Sequence, residues 1–258
     1  MRMLIRADAT PGMGTGHVMR SLALAQWARR KGHSVALMGC IRVPWVAGRI
    51  EKERIPFLAL EGTVPTVEAS ERLLDHVRAI DDVDWVVLDG YHFDLQCQIA
   101  LRQAGYRLLI VDDYAHLPEY SCDILLNQNL GAESLVYACD IGAFLLGPRY
   151  ALLRPEFADA GKRALAKVFP PMPRRILLTL GGGDFIEHLR HIAPCFMLSE
   201  MAGRVLRIVS GATDIAEIQA ILRGCPADVE ILPHVADMPS LLLNSDLCVT
   251  AGGSTCWE

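Results

Sequence analysis

The sequence predicts an α/β chain with two parallel-sheet domains, and three observations predict it. Short apolar strands alternate with helical segments from residue 3 onward. The run Phe169-Pro170-Pro171-Met172-Pro173 interrupts that rhythm, because its prolines cannot occupy a helix interior. The rhythm then restarts at Arg175. A length of 258 residues suits one large or two ordinary domains, and 52% hydrophobic residues supply core for both. The expected boundaries are 1–150 for the first domain, 151–173 for a connecting helix and linker, and 174–258 for the second.

Composition narrows the function classes. The formal charge is −5 with no basic run, so nucleic acid is not an expected partner. No apolar run is long enough to cross a bilayer, so no stable membrane insertion is expected, and no signal peptide is read ahead of the first strand. The 8 cysteines lack CxxC spacing, which indicates neither a zinc ribbon nor a disulfide scaffold. A reducing cytoplasm fits that usage.

Met3 to Ile5 is the first strand. It leads into Ala9 to Arg20, ATPGMGTGHVMR, the stretch around which the chain is organised. Gly12, Gly14 and Gly16 allow a sharp turn and a close approach to a ligand. His17 falls in the first turn of a helix running to about Lys31, where free N–H groups and the positive end of the macrodipole gather. A histidine there is disfavoured as a cation and is free to accept a proton, which is the requirement for a general base. A dinucleotide fingerprint needs glycine where His17 stands, and the absence of GK[ST] removes a P-loop. The competing reading is a tight strand-to-helix turn with an exposed histidine.

Val18, Leu22 and Ala25 form the apolar face of that helix, and Gly32 stops it. Ser34 to Met38 is the second strand. Residues 41–50, IRVPWVAGRI, read as a loop or short helix packed on the sheet, with a lipid- or partner-facing patch as the alternative. A strand over Ile55 to Leu60 and a helix over Glu68 to Ile80 follow. Asp84 to Asp89 is the clearest buried strand, and Gly90-Tyr91-His92 stands at its end. Open parallel sheets bind ligands at such ends, which makes Asp89, Tyr91 and His92 candidate lining. Asp89 would alternatively cap the helix that follows, Leu95 to Ala104. Arg107 to Val111 ends in Asp112-Asp113-Tyr114. Adjacent acids point to opposite faces, so no metal is assigned to them. Ile124 to Leu126 leads to Asn127 and Asn129, whose amides suit hydroxyl or acetamido groups. Phe144 to Leu146 is a short strand, residues 147–155 look like a boundary crossing, and Glu156 to Val168 is helical.

In the second half, strands are expected at 175–180, 205–209, 229–232 and 247–250. Helices are expected after Asp184 (interrupted at Pro194), over 214–223 and over 238–244. Gly252-Gly253-Ser254-Thr255 before a helix start is an arrangement that holds phosphate, and Gly181 to Gly183 offers a second close backbone approach. Glu258 would accept hydrogen bonds from ribose hydroxyls, although T-x-x-E over Thr255 to Glu258 is also a capping box that needs no ligand. A helix opening within one turn of the end is not stable alone, so further residues are expected beyond Glu258.

These pieces resemble a known family. G-x-G-H-x-x-R in the first loop and G-G-S-T-x-x-E late in the second half are similar to the GT-B nucleotide-sugar enzymes, which have two Rossmann-like domains. Closer still is the UDP-sugar hydrolase of pseudaminic acid biosynthesis, with its spore-coat polysaccharide relatives. The matching pieces are Arg6-Ala7-Asp8, Gly14 to Arg20, the Asp89/Tyr91 strand end, Asp112-Asp113, Cys122 to Asn127, Tyr150 to Arg154, and the glycine loop at 181–184. The GxGH loop alone is shared with glycosyltransferases of the peptidoglycan pathway.

The resemblance implies hydrolysis of UDP-2,4-diacetamido-2,4,6-trideoxy-L-altrose at the anomeric carbon, with inversion and without metal; separately, no cofactor is expected and the chain is expected to be a monomer. The resemblance places His17 as the base. Arg6, Asp8, Gly14, Gly16, Asp89, Tyr91, Asn127, Asn129, Tyr150 and Arg154 line the sugar. Gly182, Gly183, Asp184, Val235, Met238, Ser254, Thr255 and Glu258 take the nucleotide. UDP is a good leaving group, so one base suffices where glycosidases need two carboxylates. A glycosyltransferase using the same donor is the alternative activity, and a binding module without turnover is a third.

Overall fold

The central strands of the first half are largely apolar and buried on both faces, the pattern of a parallel sheet covered by helices. The computed structural model describes residues 1–258 apart from Thr66 and Ala212, and gives the backbone alone for residues 139–141. The chain divides into two compact units. One holds residues 1–9 and 17–154 with Trp257, and the other holds residues 10–16 and 155–256 with Glu258.

In the first unit the strands are β1 (Arg2–Ala7), β2 (Ser34–Gly39), β3 (Phe57–Ala59), β4 (Trp85–Asp89), β5 (Arg107–Val111), β6 (Tyr120–Asn127) and β7 (Cys139–Leu146). They form one sheet in the order β3-β2-β1-β4-β5-β6-β7, with every neighbouring pair parallel. Alternate residues of each strand feed opposite cores. Met3, Ile5, Val35, Leu37 and Val87 meet Val18, Leu22 and Ala25 of α1 (Gly16–Arg30) on one face. Leu4, Ala36, Met38, Val86 and Leu88 meet α3 (Ser70–Arg78) and α4 (Leu95–Gln103) on the other. Each such leucine or isoleucine contributes about 1.5–3 kcal/mol of burial. The 41–50 stretch resolves in favour of packing. Val46 and Ile50 of α2 (Pro44–Lys52), with Val43 before it, are core residues of the α1 face.

The second unit contains α5 (Pro155–Ala164), β8 (Arg175–Thr179), α6 (Ile186–Phe196), β9 (Val205–Val209), α7 (Ile215–Ile221), β10 (Asp228–Leu232), α8 (Met238–Leu243) and β11 (Leu247–Thr250). Its sheet runs β10-β9-β8-β11, all parallel. Ile176, Leu178, Leu206 and Ile208 pack with Leu189 and Phe196 of α6 and Ile218 of α7. Helix α5 groups with this unit, although the sequence suggested a connecting segment there. Helix α6 also continues past Pro194, because that proline sits in its last turn and removes only one ladder bond there. The expected helix at the end of the chain is a single 3-10 turn, Ser254–Cys256.

Sheet order sets where a ligand site can form. In the first sheet the chain moves from β1 outward to β3 and then returns to β4 on the other side of β1. The second does the same around β8, with β11 returning beside it. Loops leaving adjacent strands diverge at such points, which opens a crevice at their C-terminal ends.

Candidate active site

Of the three glycines before His17, only Gly14 takes a positive φ, at 81°. Its N–H closes a turn on Thr10 O at 2.8 Å, which brings the chain round into α1. His17 is the second residue of that helix. Its Nδ1 lies 2.7 Å from Asp89 Oδ1 at the end of β4. An ionised carboxylate only accepts, so Nδ1 carries a hydrogen, and in the neutral ring the lone pair is on Nε2. Nε2 makes no hydrogen bond among the described residues, and the side chain is 10% exposed. The sequence argument weighed the helix terminus alone; the structure adds a carboxylate that fixes the ring's tautomer and orientation.

Asp89 is fully buried, and both its oxygens are occupied. Oδ1 accepts from His17 and from Arg20 Nη2 at 2.6 Å, and Oδ2 from Arg20 Nε at 2.8 Å and Ser21 Oγ at 3.2 Å. Burial pushes the carboxyl pKa up, but Arg20 and then His17 outweigh it, so Asp89 stays below the usual carboxylate range. With its oxygens committed to His17, Arg20 and Ser21, it does not cap a helix. The N-cap of α4 is Asp94, which accepts from Cys97 N at 2.9 Å.

Arg20 reaches a second acid. Its Nη1 and Nη2 donate to Asp113 at 2.7 and 3.0 Å. Burial disfavours the guanidinium charge, yet Asp89 and Asp113 together raise its pKa well above normal. Asp113 also accepts from Tyr91 Oη at 2.5 Å and Asn129 Nδ2 at 2.7 Å. Burial raises its pKa, but Arg20, Tyr91 and Asn129 hold it at about 2. Burial and Asp113 drive the Tyr91 phenol upward, so it stays protonated and remains a donor.

Other expected sugar contacts are turned inward. Arg6 and Asp8 are buried and pair at 2.5 Å; Asp8 also accepts from Cys40 N at 2.6 Å, and Arg6 reaches Glu68 at 3.3 Å. His92 Nε2 approaches Asp8 at 3.0 Å. Asn127 is fully buried, donates to Tyr137 Oη at 2.8 Å and accepts from Asn129 N at 3.0 Å. Buried polar side chains in or near strand ends bond to one another as readily as to a ligand, and Arg6, Asp8 and Asn127 do so here. Asp112 and Asp113 do point apart. Asp112 is fully buried and accepts from Tyr120 at 2.9 Å and Tyr137 at 3.1 Å. Tyr150 is partly exposed and its hydroxyl accepts from Arg149 at 2.6 Å, whereas Arg154 is buried.

In the second unit, Thr179 and Thr250 are register partners, so the loops leaving β8 and β11 start side by side. One carries Gly182, Gly183 and Asp184, and the other Ser254 and Thr255. Asp184 is engaged locally, accepting from Ile186 N at 3.1 Å and Thr213 Oγ1 at 3.0 Å. Glu258 N donates to Ser254 O at 3.3 Å. Val235 and Met238 follow β10, two strands away from β8. Among the described residues no three His, Cys, Asp or Glu side chains are grouped to hold a metal ion, and no helix is long and apolar enough to cross a membrane.

The sequence shows Arg20 within a motif, and Asp113 reads there as a metal ligand, a cap or a solvent-facing acid. The available signal was spacing: His17 and Arg20 are three apart on one helix face, and an arginine on the buried face needs an acid.

Comparison with solved structures identifies the architecture. SnogD, a glycosyltransferase from Streptomyces nogalater, superposes with a TM-score of 0.60 at 16% identity, over 100% of this chain and 78% of its own. Acinetobacter baumannii MurG gives 0.58 at 16%, over 99% and 74%. The fold is GT-B. No family model matches the sequence. The UDP-2,4-diacetamido-2,4,6-trideoxy-beta-L-altropyranose hydrolase of Campylobacter jejuni is 26% identical over 193 residues, covering 71% of this chain and 61% of that protein. An uncharacterized protein of Methanocaldococcus jannaschii is 23% identical over 272 residues, covering 100% of this chain and 53% of its own. The chain thus spans between half and two thirds of the length of these curated relatives. The resemblance to the hydrolase, drawn from motifs, holds in this comparison as well.

Proposed function

We propose that this chain hydrolyses a UDP-linked 2,4-diacetamido-2,4,6-trideoxy sugar at its anomeric carbon, with inversion, releasing UDP. The observation that carries the reading is the His17–Asp89 pair at the start of α1, with the free lone pair on Nε2. Nε2 takes a proton from water as its oxygen bonds to the anomeric carbon. The carbon–oxygen bond to the diphosphate breaks, and UDP departs with the electron pair. Asp89 faces the imidazolium formed, so the proton is received beside a fixed negative charge. Arg20 keeps Asp89 ionised throughout. A positioned base of this kind contributes about 10²–10⁴-fold.

The nucleotide is assigned to the second unit. Gly182, Gly183, Ser254 and Thr255 offer backbone N–H groups and hydroxyls to the diphosphate, Glu258 takes the ribose, and Val235 with Met238 flanks uracil. No acid is needed on the leaving oxygen, and no metal is invoked. The similarity to a named UDP-sugar hydrolase and the GT-B fold support this reading.

The test is incubation of the full-length protein with the UDP-sugar and no acceptor, products being read by mass spectrometry. Free UDP with free sugar, unchanged by chelator, is the expected result. UDP release only after an acceptor is added would make the protein a transferase. Bound but intact UDP-sugar would make it a binding module.

A further inference from the structure

Two exposed aromatic rings stand beside the base. Tyr91, 40% exposed, sets its ring edge-on against His17, with centroids 5.0 Å apart and planes at 82°. Tyr114, 58% exposed, lies 5.1 Å from Tyr91. The His116 ring braces both from the protein side, 5.3 Å from Tyr91 and 6.0 Å from Tyr114. The polar tips differ. Tyr91 is tethered to Asp113, while the Tyr114 hydroxyl makes no hydrogen bond among the described residues. Folding gains little from holding a tyrosine ring largely in water.

The turn that presents Tyr114 is nevertheless strained and well held. Ala115 has φ +55°, a left-handed conformation that a Cβ resists. The buried Asp112 carboxylate enforces it, accepting from Tyr114 N at 3.0 Å, from Ala115 N at 2.6 Å and from the His116 ring. Strain maintained by a buried charge, with an exposed ring as its product, points to a ligand.

We propose that Tyr91 and Tyr114 form a platform for the apolar face of a pyranose, setting its anomeric carbon against His17. A sugar presents axial C–H groups on one face, and a 6-deoxy sugar adds a methyl. Both suit the electron-rich face of a phenol ring. The tethered Tyr91 sets the position beside the base, and the Tyr114 ring extends the stacking surface. The proposal rests on the hydrolase reading for the identity of the sugar.

The test uses His17→Leu as the parent, so that turnover is slow on the scale of the titration, and titrates it calorimetrically with UDP-2,4-diacetamido-2,4,6-trideoxy-L-altrose and with UDP. The parent binds the UDP-sugar more tightly than UDP. Tyr114→Ala loses about threefold to tenfold in UDP-sugar affinity, with UDP unchanged, and Tyr114→Phe stays within about twofold of the parent. Equal affinities of the parent for the two ligands, an unchanged UDP-sugar affinity in Tyr114→Ala, or an equal loss for both ligands would overturn the platform. The hydrolase reading fails separately, if the wild-type protein leaves the UDP-sugar intact while the Tyr114 effect stands.

Discussion

Both sheets reverse direction beside their first strand, β1 against β4 in one and β8 against β11 in the other, yet different groups stand at the two reversals. Beyond β1 and β4 the side chains dominate, with His17, Arg20 and Asp89 locked together and Asp113 joined to them. Beyond β8 and β11 there are glycines, small hydroxyls and open backbone. The Gly211 backbone packs on the first of these loops, where an added Cβ would lie 2.8 Å from Gly181 O. One geometry thus supports two kinds of site. Fixed charges can orient a reacting group, while bare backbone can lie close against an extended anion.

The difference can be broken from either side, beginning with the largest effect. His17→Leu should lower kcat about 10²–10⁴-fold while the UDP dissociation constant stays unchanged. A parallel loss of UDP binding would show that the two ends are not separable. Arg20→Ala leaves the fully buried Asp89 without its cation, and chemical denaturation should show a loss of about 3–5 kcal/mol. Asp113 sharpens the contrast through pH. Its folded pKa is about 2 against an ordinary 3.8, so its stabilisation is complete above about pH 4 and disappears as pH falls toward 2. Asp113→Asn should flatten that part of the acid-unfolding profile, removing about 2 kcal/mol of pH-dependent stability. The smallest effect belongs to the backbone side. Gly211 has φ +60°, and Gly211→Ala should cost about 1–2 kcal/mol in denaturant midpoints and weaken UDP binding, leaving kcat at saturation near wild type.

Much of the architecture was legible because its strands read as short, largely apolar runs, the central ones buried on both faces. Strands β4 and β5, and the four strands of the second unit, fall within a residue or so of their expected bounds. Helix α5 stops at Ala164, short of the expected Val168, and both Leu165 and Val168 are exposed. Apolar letters there suggested a helix face that has nothing to pack against. The position of His17 in the first turn of α1 was legible from the glycine loop before it. Its setting was not, because Arg20 and Asp113 are 93 residues apart and meet only once β4 and β5 lie side by side. Asp8 and Asn127 misled for a related reason: a strand end signals a possible site without saying which polar side chains face it. Tyr114 carried no signal beyond following two acids, since the left-handed Ala115 that presents it is invisible in a sequence.

His17 and Arg20 ride on one helix, while the two carboxylates they meet stand at or just past the ends of separate strands further along the chain. Three segments must therefore meet before the imidazole has a fixed orientation. A nascent or partly unravelled molecule lacks the arrangement altogether, so the ring acquires its fixed setting only in finished copies.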